Sequence, residues 1–151
     1  MILFLGTSSL VKLYFEEEYS RVLRDWVKEA EIVATSRVGY TETISAVETR
    51  LARRDLSQVD YNEFMKAFTR DWESYLVIDF NDIEAGRLVK NYGLRRFDAI
   101  HLSSAKLLAG TDPNLLMFFS SADDRLCRAA AGEGLKVLPL HVCAGFSSKG
   151  R

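Results

Sequence analysis

The sequence predicts an α/β fold, a parallel sheet covered by helices on both faces, from three observations. Short apolar runs alternate with segments of helical period along the chain. Most of those runs are too continuously apolar to leave one face wet, as expected of buried parallel strands. Only two prolines and nine glycines punctuate the 151 residues, which leaves room for long helices and disfavours an all-β sandwich. An apolar share of 48% in a chain of single-domain length is enough for one core and excludes a disordered protein.

In chain order, strands are expected at residues 2–5, 31–34, 75–80, 115–119 and 136–140. The first run, Met1 to Leu5, has no basic lead and stops at Gly6. It is too short for a signal peptide or a membrane span. Helices are expected at 9–17 and 20–30 in the first gap, 37–54 and 57–72 in the second, 82–92 and 97–109 in the third, and 123–131 in the last. Tyr40, Ile44, Val47 and Leu51 advance by four, three and four, so they form one stripe, expected to face the sheet. Gly93, Gly110 and Gly132 follow their helices where a left-handed residue closes the last turn. Residues 1–146 read as a single domain and 147–151 as a flexible tail or expression remnant.

Twenty Lys and Arg against 21 Asp and Glu leave a formal charge of −1. A generally basic nucleic-acid coat protein is excluded, and any polyanion binding must come from a local patch. Cys127 and Cys143 lack the spacing of a disulfide framework or zinc site. With no apolar run of spanning length, the cytoplasm is the expected compartment and no membrane partner is implied.

In an open α/β sheet, ligands bind beyond the carboxyl ends of the strands. Gly6-Thr7-Ser8-Ser9 follows the first strand, Glu42 lies in the opening turns of the helix after the second, Asp98 opens the helix before the fourth, and Ser121-Ala122-Asp123-Asp124 follows the fourth. Taken singly, Asp98 and Asp123 read as helix caps or first-turn acids, worth ~1 kcal/mol each. Glu42 points away from the Tyr40 stripe, toward either a site or solvent. Gathered at one edge, such acids would repel one another and raise their pKa values unless a cation sat among them. Carboxylate and water ligands suit Mg²⁺ or Mn²⁺, which activate water and stabilise the charge developing on a phosphodiester.

Four blocks carry a family resemblance. ILFLGTSSLVKLYFEEE at residues 2–18 resembles the opening of PIN-domain toxins of the VapC type, whose first strand usually ends in an Asp followed by Thr-Ser. TSRVGYTETISA at 35–46 is similar to the segment carrying that family's helix-borne Glu, here Glu42. DAIHLSSA at 98–105, and SADDRLCRAA at 121–130 followed by GLKVLP at 134–139, match its later blocks in the family's order. The resemblance implies a compact three-layer α/β/α PIN fold with about five mainly parallel strands. It implies a Mg²⁺- or Mn²⁺-dependent endoribonuclease, usually a dimer, neutralised by a cognate VapB-type antitoxin. Carried over by motif, Asp98 is a direct metal ligand, Glu42 and Asp123 complete the acidic site, and Asp124 is a neighbour. Ser8 then holds water or phosphate, or else caps the first helix.

The departure is Gly6, which stands where the family has its first metal-binding Asp. Loss of one carboxylate from so small a set weakens the hold on a hard cation and predicts very low activity. Either a substitution has relieved toxicity, or the chain is a non-catalytic pseudonuclease that binds antitoxin or RNA. Retention of Glu42, Asp98 and Asp123 favours the first.

His101, three residues after Asp98, is placed to orient it or to pack in the interior, and His141 carries no signal. Arg37, Arg95, Arg96 and Arg125 stand near the acidic edge, as contacts for RNA phosphates or as solvated helix ends. Tyr14, Phe15, Tyr19, Trp26, Phe64, Phe68 and Trp72 fit core stripes, with an antitoxin groove or dimer interface as the alternative. A receiver-like signalling domain, with Asp79 as phosphate acceptor, would need an acidic pair after the first strand, where Gly6-Thr7 stands. No glycine-rich nucleotide loop is present.

Overall fold

The computed structural model describes residues 1–138 and Leu140. His141, Cys143, the expected tail and the expected domain end at 146 lie outside them. The elements run β1 (Ile2–Leu5), α1 (Thr7–Tyr14), α2 (Ser20–Glu29), β2 (Ile32–Ser36), α3 (Gly39–Ala52), α4 (Gln58–Trp72), β3 (Leu76–Ile78), α5 (Asp82–Tyr92), α6 (Arg96–Ala109), β4 (Met117–Ser120), α7 (Asp124–Gly132) and β5 (Lys136–Val137). One sheet of five parallel strands has the order β3-β2-β1-β4-β5. This is the three-layer α/β/α arrangement the sequence implied.

The centre of the sheet is buried on both faces because β1 alternates its side chains between two clusters. Ile2 and Phe4 join Ala34, Met117 and Phe119 under α5, α6 and α7. The Phe4 and Phe119 rings stack at 5.7 Å across the β1–β4 register. Leu3 and Leu5 face the other way, onto Leu10 of α1 and Leu23 of α2, with Leu138 and Leu140 beside them. β3, one of the two edge strands, is shorter than expected, and its Leu76 and Val77 remain exposed.

Helix starts marked by a capping side chain fall where the sequence placed them. Ser57 Oγ accepts from the Asp60 N–H, Asn81 Oδ1 from Glu84 and Asp123 Oδ1 from Leu126. Two expectations are corrected. The Tyr40, Ile44, Val47 stripe of α3 packs not on the sheet but on Phe64 and Phe68 of α4 and on Tyr14 and Phe15 of α1, in a third cluster. Amphipathic spacing fixes which face is buried, not what buries it. Of the three glycines, only Gly93 is left-handed, at φ 64°. Gly110 is right-handed, and Gly132 is the last residue of α7, where a Cβ would come within 3.1 Å of Tyr92 Oη. The positive φ near that turn belongs to Gly134.

At the carboxyl ends of the strands the core changes character. Ser9 meets Ser120 at 3.0 Å, Ser104 donates to Ser36 at 2.9 Å, and Thr35 Oγ1 donates to the Leu5 carbonyl at 2.8 Å, all buried. Each pair ties a strand end to a neighbouring helix or strand and leaves no polar atom of the pair unmet. These hydroxyls form the floor on which the polar edge above is built.

Candidate active site

Three acids reach this edge, each from a helix N-terminus. Glu42 lies in the first turn of α3, Asp98 in the first turn of α6, and Asp123 is the cap of α7. Helix dipoles favour carboxylates in these places. The cap reading of Asp123 is therefore correct as far as its Oδ1 goes. Its Oδ2 faces Arg95 Nη2 at 3.6 Å.

Glu42 is the most firmly held of the three. Its Oε1 lies 2.6 Å from His101 Nε2 and 3.0 Å from Thr7 Oγ1, which donates to it; Thr7 Oγ1 is also 2.9 Å from His101 Nε2. We assign the ring hydrogen to Nε2, since that nitrogen faces the carboxylate, while Nδ1 is buried without a partner. His101 is 1% exposed. Of the two readings its position allowed, packing in the interior is borne out; the ring does not orient Asp98 but turns across to α3 and holds Glu42. Thr7 was missed as a site residue, although it stands in the Gly6-Thr7-Ser8-Ser9 segment beyond the first strand.

Asp98 is half-buried. Desolvation, and then the Asp123 carboxylate, raise its carboxyl above the ordinary range; Arg95 and His101 oppose this, and Glu42 adds to it. The three acids thus feel one another electrostatically. Asp124 is mostly exposed and pairs with Arg128 one turn on, outside this group.

Gly6 is buried, and its N–H donates to the Ser120 carbonyl at 2.9 Å. Its φ of −73° and ψ of 167° are extended backbone open to any residue. A Cβ built there would come no closer than 3.5 Å to Ser120 O and 3.8 Å to Ser121 Cβ, which is ordinary contact. Neither backbone nor space requires glycine. Ser8 does not cap α1, whose cap is Gly6. Its Oγ accepts from the Ala122 N–H at 3.0 Å and lies 3.3 Å from Ser121 Oγ, bracing the turn that delivers Asp123.

The acidic edge opens into two depressions of ≈ 640 and ≈ 650 Å³ that share Glu42 and Phe97. Arg95, Arg96 and Asp98 line the first, Thr7, Arg37 and Val38 the second. Arg37 and Arg95 are exposed, whereas Arg125 is used locally, donating to the Gly93 carbonyl at 3.1 Å. The aromatics weighed for a partner groove pack into the monomer's own clusters, Tyr19 and Trp26 in one and the rest in another.

The residues present do not make a complete seat for a divalent cation. Among the described residues, no three His, Cys, Asp or Glu side chains come close enough to hold one. Glu42 is committed to His101 and Thr7, and Asp123 partly to its helix. The donor chemistry is that of a hard-cation site, all carboxylate oxygen, but the set is short of a ligand.

This chain and its architecture match known proteins. Ribonuclease VapC45 of Mycobacterium tuberculosis (strain CDC 1551 / Oshkosh) and Ribonuclease VapC49 of Mycobacterium tuberculosis (strain ATCC 25618 / H37Rv) are each 26% identical over 144 residues, spanning 93% of this chain and 97% of theirs. In fold, PAE2754 from Pyrobaculum aerophilum superposes with a TM-score of 0.63 at 19% identity, covering 96% of each chain. FitAcB from Neisseria gonorrhoeae does so at 0.64 and 16%, covering 93% of this chain and 99% of that one. Among the described residues no helix is long and apolar enough to cross a membrane. The PIN domain family matches residues 3–132, from β1 to the end of α7, so the stretch that builds the sheet's inner strands and carries every acid of the edge is a PIN domain, and the chain belongs to that family.

Proposed function

We propose that this chain is the toxin component of a type II toxin–antitoxin pair, an endoribonuclease of the VapC type whose activity is very low because Gly6 leaves its cation site one carboxylate short. The observation that carries the reading is that Glu42, Asp98 and Asp123 reach one edge from three helix N-termini, where burial first and then the Asp123 carboxylate raise the Asp98 pKa. The names of the curated relatives supply the reaction class. RNA is the substrate, a VapB-type antitoxin the partner, and a homodimer the assembly. The cation suited to the completed set is Mg²⁺ or Mn²⁺. Ser8, Arg37, Arg96 and Arg125 keep their proposed place near RNA, with Ser8 and Arg125 already engaged in local structure.

That Gly6 stands for an aspartate is supported by its ordinary backbone and by the room around it. The test is Gly6→Asp. The revertant is expected to bind Mn²⁺ in a calorimeter where the Gly6 protein does not, to cleave RNA only with the cation, and to arrest growth. A folded revertant that stays inert favours the non-catalytic module, and metal-dependent cleavage by the Gly6 protein itself overturns the account of its weakness.

A further inference from the structure

We propose that Phe97 is a stacking platform for one nucleobase of a bound RNA strand. The proposal rests on RNA being the substrate class and adds a residue and a mode of contact to it. Phe97 is 44% exposed, and among the described residues it is the one exposed aromatic ring. An aromatic ring presents a large flat apolar face, and this one sits beside the half-buried Asp98, on the border of both depressions.

Charge identifies the occupant. Arg95 and Arg96 line one depression and Arg37 the other, so each depression that the ring borders carries a cationic group. Arg37 and Arg95 are 70% and 82% exposed, and they approach Asp79 and Asp123 only to 3.7 and 3.6 Å. Exposed pairs that loose are worth little and exchange readily for a phosphate. The carboxylates of Glu42 and Asp98 disfavour a phosphate directly above them. What fits over the ring is then neutral and flat, and what fits against the arginines is anionic. A nucleic acid strand alternates in that way, and every base has a face to stack.

The test uses the chain as it is, without divalent cation, so that cleavage does not enter. Fluorescence anisotropy measures binding of a short single-stranded RNA, and of an abasic oligomer of equal length and charge, to the native protein, Phe97→Leu and Phe97→Trp. Phe97→Leu is expected to bind the RNA roughly tenfold more weakly and Phe97→Trp about as well as native, with no difference among the three on the abasic oligomer. Equal RNA binding by the native and leucine proteins overturns stacking and assigns the ring to a protein partner. Equal losses on both oligomers also overturn it, because the effect would not depend on a base. A native chain that binds no RNA overturns the substrate reading itself.

Discussion

Glu42 and His101, 59 residues apart in sequence, meet at 2.6 Å beneath the acidic edge, and Thr7 closes the group from the end of the first strand. A carboxylate with a side-chain exposure of 22% is held by a ring with almost none. His101→Leu removes the donor and leaves a largely buried anion short of a partner. It is expected to lower the unfolding free energy by about 2–3 kcal/mol, because hydrogen bonds to charged groups are the costly ones to lose. His101→Gln, which can place an N–H near the Nε2 position, should lose less than half as much. Urea denaturation of the two variants measures both; equal losses would mean that shape, not the hydrogen bond, is what His101 supplies.

The two glycines nearest the site behave oppositely. At Gly39 a Cβ would come 2.9 Å from Thr35 Oγ1 and 3.3 Å from Leu10 Cδ1. That hydroxyl is already committed to the Leu5 carbonyl. Gly39→Ala is expected to destabilise the fold by about 1–3 kcal/mol through overpacking, more than the ~1 kcal/mol that alanine gains in a helix. A melt of Gly39→Ala at or above the native temperature would refute this.

Gly6→Asp, by contrast, is expected to fold. Its added carboxylate joins Asp98, whose pKa burial and then Asp123 already raise, so the extra repulsion should lower the melting temperature in the presence of chelator. Mn²⁺ should restore it, since a ligand bound by the folded state alone stabilises that state. The Gly6 protein should be indifferent to the cation. Scanning calorimetry with and without Mn²⁺ gives the comparison.

Far from the site, Glu133 and Glu84 share Lys106 and Arg87 where α5, α6 and α7 meet. Hydrogen bonds from Lys106 and Tyr92 bring the Glu133 carboxyl down to about 2, and those from Arg87 and Lys106 bring Glu84 to about 2. Both carboxyls are depressed below their ordinary 4.5. The stability they contribute is therefore fully present above pH 4.5 and is lost as pH falls toward 2. Lys106→Met should flatten part of that acid slope, as read from melting temperature against pH between 5 and 2. An unchanged slope would take Lys106 out of the account.

The sequence disclosed what is local and withheld what is not. Starts at Ser57, Asn81 and Asp123 were legible because the capping side chain reaches its N–H within three residues. The Tyr40 stripe was legible as a face, but the choice of α4 over the sheet depends on how two helices fold back on each other. Asp98 and Asp123 were legible as helix-opening acids, and Asp123 follows a strand directly. His101 was legible as an interior residue, but the partner that helix spacing offered it was Asp98, whereas its hydrogen bond goes to Glu42 on another element. Nothing in local spacing could pair residues 7, 42 and 101; only the strand order that sets β1 beside β2 and packs α6 on β2 brings them together.

The serine and threonine floor holds independently of charge. None of the groups in the Ser9–Ser120, Ser36–Ser104 and Thr35–Leu5 bonds titrates, so the strand ends keep their places whatever charge stands above them. Gly6 joins that floor through its backbone alone. A side chain can therefore be added at position 6 without disturbing the bonds that hold the strand ends in place.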